Sequence, residues 1–119
     1  SGDGSRRALL MISESDIEKA VDYLRDTAEK AGVARAQAEH LDEMRHVILA
    51  RIASKINDGS EASKERQARA TAEYQEFLEG LRTAREIDYT YRNHRVSAVA
   101  KIDAWRSMEA SRRGVDRVA

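Results

Sequence analysis

The stretch "NDGSEASKERQARA", Asn57 to Ala70, decides the fold. Everything on either side of it reads as long helix, so its conformation sets how the two flanks meet. Asn-Asp-Gly is turn chemistry, and Gly59 suits a left-handed C-cap. The spacing therefore predicts a turn at 57–60. Glu61 to Ala70 carries only small apolar residues, which reads equally as loose helix or long connection. Thr71 offers a fresh N-cap with Glu73 in the first turn, so the second long helix starts at 61 or at 71.

Upstream of the turn, "SESDIEKA" reads as a helix start. Ser13 and Ser15 are candidate N-caps, Glu18 stands three after Ser15 as in a capping box, and acids crowd the first turn. Ile17, Val21, Leu24, Ala28, Ala31, Ala38, Leu41, Met44, Ile48, Ile52 and Ile56 follow in steps of three and four, with one step of seven across Ala34 and Arg35. That is one apolar stripe on a helix over about 14–57, with Gly32 as its weak point. Downstream, Tyr74, Phe77, Leu78, Leu81, Ala84, Ile87, Tyr91, Ala98, Ile102, Trp105 and Met108 keep helical spacing to about Arg113, leaving 114–119 as a tail.

Composition agrees. The 119 residues include no proline and no cysteine, 35% are charged, and aromatics make up 5%. Helix breakers are nearly absent and strand formers scarce, the usual mixture of coiled coils and long helices. Lack of cysteine excludes disulfides and thiolate metal sites. No apolar run approaches the ~20 residues of a membrane span. "SGDGSRR" reads as a tag remnant or linker, residues 1–12 as an N-terminus without fold information, and Met11 as a candidate native start.

Folding the chain at Gly59 gives a long antiparallel helical hairpin over 13–113, all-α and coiled-coil-like. Leu41 then faces Leu78, Leu24 faces Arg95 and Ile17 faces Ile102. Trp105 falls near the chain entry, where "LLMI" would cover it. A two-helix hairpin has one seam and half covers each stripe. Leu24, Leu41, Ile48, Phe77, Leu81, Ile102 and Trp105 are thus expected at an interface, a dimer completing a four-helix bundle.

Charge is neutral overall and segregated along the chain. Nine acids against four bases between Ser13 and Met44 leave −5; seven bases against three acids from Arg92 to Ala119 leave +4. An antiparallel hairpin lays one beside the other. The alternative use of the basic end is single-stranded nucleic acid. "YTYRNHR" (Tyr89 to Arg95) sets rings beside arginines, and Tyr89, Arg92, Arg95, Lys101, Arg106, Arg112 and Arg113 are the residues that would carry it. "EMRH" places Glu43 and His46 at i, i+3, half of the element used by di-metal carboxylate bundles, with Glu73 and Glu76 brought opposite by the hairpin. Met44 and Ile48 hold the core stripe, which turns His46 to its edge, so no metal or other cofactor is expected. His40 and His94 have no histidine partner at i+4, no Gly-rich phosphate loop exists, and no serine sits in a nucleophile elbow. The expectation is a protein that is not an enzyme.

"KERQARA", "TAEYQEFLEGLRTAREID" and "KIDAWRSMEASRR" together carry a resemblance. From about Ser63 to Arg113 the chain resembles a family of small helical proteins of bacteriophages and prophages, often found with replication or recombination genes. The resemblance implies a cytoplasmic, phage-associated accessory protein in a bacterial host and carries over no catalytic residue. The uncovered stripes add the expectation that it acts through self-association and protein–protein contact, and the lack of a long apolar run that it has no membrane partner.

Overall fold

The computed structural model describes residues 12–118. The expectations placed on residues 1–11, the tag, the start at Met11 and most of the "LLMI" cover, lie outside the described residues. The chain is an all-α helical hairpin, and the described residues form three helices in the order α1 (Glu14–Ser54), α2 (Glu61–Arg69) and α3 (Ala72–Val118). Among the described residues there is no strand.

The cap of α1 is Ser13, and its partner is Asp16 rather than the Ser15–Glu18 pair. The Asp16 amide donates to Ser13 Oγ at 3.2 Å and the Ser13 amide donates to Asp16 Oδ2 at 3.0 Å. This is the capping box with the shorter acid in the third position. The helix stops at Ser54, three residues before Asn57. Its last turn tightens through i→i+3 bonds from the Lys55 and Ile56 amides to the Ile52 and Ala53 carbonyls.

The connection is a helix, not a loop. Gly59 does have positive φ, at 110°, but it introduces α2 instead of closing α1. Ser60 caps α2 by accepting from the Ser63 amide, and Gln67 Nε2 reaches back to Ser63 Oγ and the Asp58 carbonyl. Thr71 then serves two helices. Its hydroxyl donates to the Ala68 carbonyl at 2.7 Å, closing α2, and accepts from the Tyr74 amide at 3.2 Å, capping α3. The expected fresh start at Thr71 is thus present, as a break after a short helix. α3 runs past Arg113 to Val118.

Contacts cluster into two compact units, 12–29 with 91–118 and 30–90. In the second unit, α2 folds onto the end of α1 and the start of α3. Ala68 is 0% exposed, and Leu49, Ile52 and Tyr74 close around it, with Ile48, Ala53, Ile56, Phe77 and Leu78 packed outside. Leu78 therefore joins the Leu49 cluster, because nine residues of α2 move the centre of the turn beyond Gly59. Leu81 is 2% exposed, and Ala34, Ala38 and Ala84 are buried. In the first unit, the buried hydrophobic residues are Ala20 and Ala98. Both units pair the helices antiparallel: Asp42 meets Arg85, while Tyr23 meets His94 and Leu24 meets Arg95.

The glycines give a stability test. A Cβ at Gly59 would meet Ser63 Oγ at 2.9 Å, on a backbone that L side chains avoid. A Cβ at Gly32 or Gly80 meets nothing within 4 Å. Gly59→Ala should cost more than about 1 kcal/mol, whereas Gly32→Ala and Gly80→Ala should each gain about 0.5–1 kcal/mol. Circular-dichroism melts of the three variants check the opposite signs.

Candidate functional site

The "YTYRNHR" segment lies wholly within α3. Tyr91 and Arg95 are half-buried, and Tyr89 is exposed in the second unit. Arg95 is held inside the first unit. Its Nη1 donates to the Leu24 carbonyl at 2.8 Å and to Thr27 Oγ1 at 2.9 Å, and that hydroxyl donates to the Tyr23 carbonyl at 2.6 Å. The His94 ring stands 6.1 Å from the Tyr23 ring, tilted by 53°. The expected Leu24–Arg95 juxtaposition is present, and it withdraws Arg95 from any phosphate track. The reason is local: Thr27 bonds back to the preceding turn and leaves an acceptor where a long side chain from α3 arrives.

The remaining basic residues divide. Arg112 pairs with Glu109 on its own helix at 3.0 Å. Arg92, Lys101, Arg106 and Arg113 are exposed, and Arg106 and Arg113 form no hydrogen bond or ion pair with another described residue. Lys101 faces α1 across a shallow groove of about 240 Å³ lined by Asp16, Lys19, Tyr23, His94 and Ser97. The Asp16 carboxyl is held below the usual carboxylate value, first by the Ser13 amide and hydroxyl and then by the charges of Lys101 and Lys19.

The second unit carries its own charges. Asp42 accepts from Arg85 at 2.6 Å across the helices, and Arg45 lies 3.8 Å from the same carboxylate. Arg45, Arg82 and Arg85 rim a groove of about 380 Å³ floored by Leu78, Leu81 and Tyr89. Asp88 is the buried charged residue of this unit, 7% exposed. Arg35 is held more basic than usual by its bond to Glu39 at 2.9 Å, then by that carboxylate's charge and by Asp88.

The four metal candidates do not converge. His46 lines a groove of about 360 Å³ with Glu61 and Glu65 of α2, while Glu43, Glu73 and Glu76 are exposed elsewhere on α1 and α3. Among the described residues no three His, Asp or Glu side chains stand together to hold an ion. The register is the reason: Asp42 of α1 meets Arg85, so α3 passes this level well beyond Glu73 and Glu76, and it is Glu61 and Glu65 of α2 that lie beside His46. Of the interface candidates, Leu81 is consumed inside the second unit, whereas Leu24, Leu41, Ile48, Phe77, Ile102 and Trp105 are half-buried. Missed by sequence reading were Ala20, Ala34, Leu49 and Ala68, all buried, while Val21 and Ile87, expected in the apolar stripes, are exposed. The chain matches no family model, no curated protein and no solved structure. No helix of the described residues is long and apolar enough to cross a membrane.

Two measurements follow from these contacts. Arg95→Ala should lose about 1.5–3 kcal/mol of stability, the range for hydrogen bonds from charged donors, while Arg106→Ala should melt like the parent chain. Asp16 is more acidic folded than unfolded, so its contribution is complete above the ordinary value of 3.8 and disappears as pH falls through the depressed one. An acid titration followed at 222 nm should therefore lose helix over a smaller pH-dependent step in Asp16→Asn than in the parent.

Proposed function

We propose that this chain is a non-enzymatic accessory protein of phage type, working in the cytoplasm of a bacterial host by self-association and protein–protein contact. The observation that carries the reading is the mismatch between what the hairpin buries and what it leaves outside. Among the described residues, six of the ten buried hydrophobic ones are alanines: Ala20, Ala34, Ala38, Ala68, Ala84 and Ala98. Val21, Val33, Val47, Ile87, Val96 and Val99 stand exposed on the same helices. Fully burying one such branched side chain is worth about 1.5–3 kcal/mol, far more than an alanine methyl supplies. A chain arranged in this way gains most of its burial by association.

Nucleic acid is the weaker reading of the basic end. Arg95 is bonded within the hairpin, Arg112 is paired with Glu109, and Val96 and Val99 interrupt the surface between Arg92 and Arg106. Single-strand binders place stackable rings between their cations instead. Sedimentation equilibrium at micromolar concentration should return at least twice the 13.4 kDa chain mass. A well-folded monomer at high concentration would sink the proposal.

A further inference from the structure

The first unit has two unlike sides. Ala20 and Ala98 occupy its seam. Successive helical residues are 100° apart, so Lys19 and Ser97, each one residue earlier, turn to one side of the helix pair. Val21 and Val99, each one residue later, turn to the other. In antiparallel helices an equal rotation from the seam brings both side chains to the same face. The groove of Asp16, Lys19, Tyr23, His94, Ser97 and Lys101 marks the polar side. The opposite side carries Val21, 44% exposed, and Val99, 46% exposed, with Val96 at 63% beside them.

The charges on this unit say what covers the valines. Residues 13–29 hold six acids and two bases, leaving −4; residues 91–118 hold seven bases and three acids, leaving +4. Across the seam Lys101 attracts the Asp16 carboxylate. The ion pairs of Arg25 with Asp22 and Asp26 and of Arg112 with Glu109 each lie within one helix, and Glu14 and Arg106 stay exposed. Two such units can stack face to face about two kinds of two-fold axis. One lays α1 on α1 and α3 on α3, acid on acid and base on base. The other, with its axis parallel to the helices, lays each α1 antiparallel on the α3 of the second copy. Only the second matches charge. Seven residues from Val21 stands Glu14, and seven residues from Val99 stands Arg106, on the same lines of their helices. With Val21 over Val99, the antiparallel direction sets Glu14 over Arg106.

We propose that the valine face of the first unit is the contact between two copies of this chain, related by a two-fold axis parallel to the helices, with Val21 against Val99 and Glu14 against Arg106 of the second copy. The proposal rests on the self-association reading above and adds the face, the direction and the register. Arg106, which is unpaired among the described residues, acquires a carboxylate, and the exposed valines interdigitate at the centre. The interface is isologous, so each contact occurs twice.

Because the chain has no cysteine, single introduced thiols report the register cleanly. Val21→Cys and Val99→Cys chains are purified separately, mixed, refolded together and oxidised. The mixture should give a covalent dimer on a non-reducing gel, and neither chain alone should do so. A thiol-linked dimer from Val21→Cys alone would overturn the proposal in favour of α1 on α1. A dimeric mass by sedimentation with no cross-link in the mixture would overturn this register and leave self-association standing. A monomeric mass would overturn both. Charge reversal tests the same register without cysteine. Glu14→Arg and Arg106→Glu should each weaken the dimer several-fold, and the double variant should recover. Failure of the double variant to recover would remove the Glu14–Arg106 contact. A fluorescent single-stranded oligonucleotide should bind no tighter than the non-specific range of ~10⁻⁴–10⁻⁶ M at physiological salt. Tighter binding that splits the dimer would reassign the face to nucleic acid.

Discussion

Helix contact through alanine is the constraint on which the rest of this structure depends. A small side chain at the crossing lets two helices approach toward the short end of the ~8–10 Å range. It also contributes little apolar area. The larger residues next in sequence are then turned about a quarter circle from the seam. Val21 beside Ala20 and Val99 beside Ala98 are displaced in this way in the first unit, and Val33 beside Ala34 in the second. The narrow seam and the exposed branched side chains are one feature, not two.

A seam of alanines specifies register weakly, because one alanine fits opposite another at several offsets. The polar contacts supply what the packing lacks. Arg95 can satisfy the Leu24 carbonyl and Thr27 hydroxyl only at one offset, and Arg85 reaches Asp42 at one offset in its own unit. The Tyr23–His94 ring contact adds a shape constraint. At the turn, Ala68 is sealed by Leu49, Ile52 and Tyr74, large side chains closing over a small one. Thr71 ties α2 to α3 with both lone pair and proton, so the short helix cannot drift relative to the long one.

Much of the fold was legible in the sequence because helical periodicity and missing breakers are strong signals. The long helices, the start near Ser13, the fresh cap at Thr71 and the approach of Leu24 to Arg95 all follow from them. What was not legible was phase. Reading large apolar residues as the seam puts Val21 and Ile87 inside, yet both are exposed, and Ala20, outside the expected stripe, is buried beside Val21, while the expected Ala84 is buried. The step of seven across Ala34 was the available clue, since Ala34 and Ala38 together continue the buried line. Glu61 to Arg69 was ambiguous because its stability rests on Ala68 meeting residues far away in sequence, which no local pattern encodes. The candidate site fared similarly. The arginines were visible, but the partner of Arg95 is a backbone carbonyl, and sequence does not announce carbonyls.

Charge segregation supplies the last link between fold and assembly. Opposed charge on the two halves of the chain favours the antiparallel hairpin over the alternatives, even where few side chains touch, because exposed pairs contribute only ~0–1 kcal/mol each while their summed field has a direction. The same segregation persists on the outside of the first unit, −4 over residues 13–29 and +4 over residues 91–118. There an acidic and a basic stretch lie side by side and present a striped surface. Such a surface is complementary to itself when turned by a half rotation about the helix direction, and repulsive to itself about the perpendicular one. Single-stranded nucleic acid, a polyanion, would meet the acidic stripe wherever it met the basic one. In the proposed dimer a second copy meets each stripe with its opposite, and valine lies on valine between them.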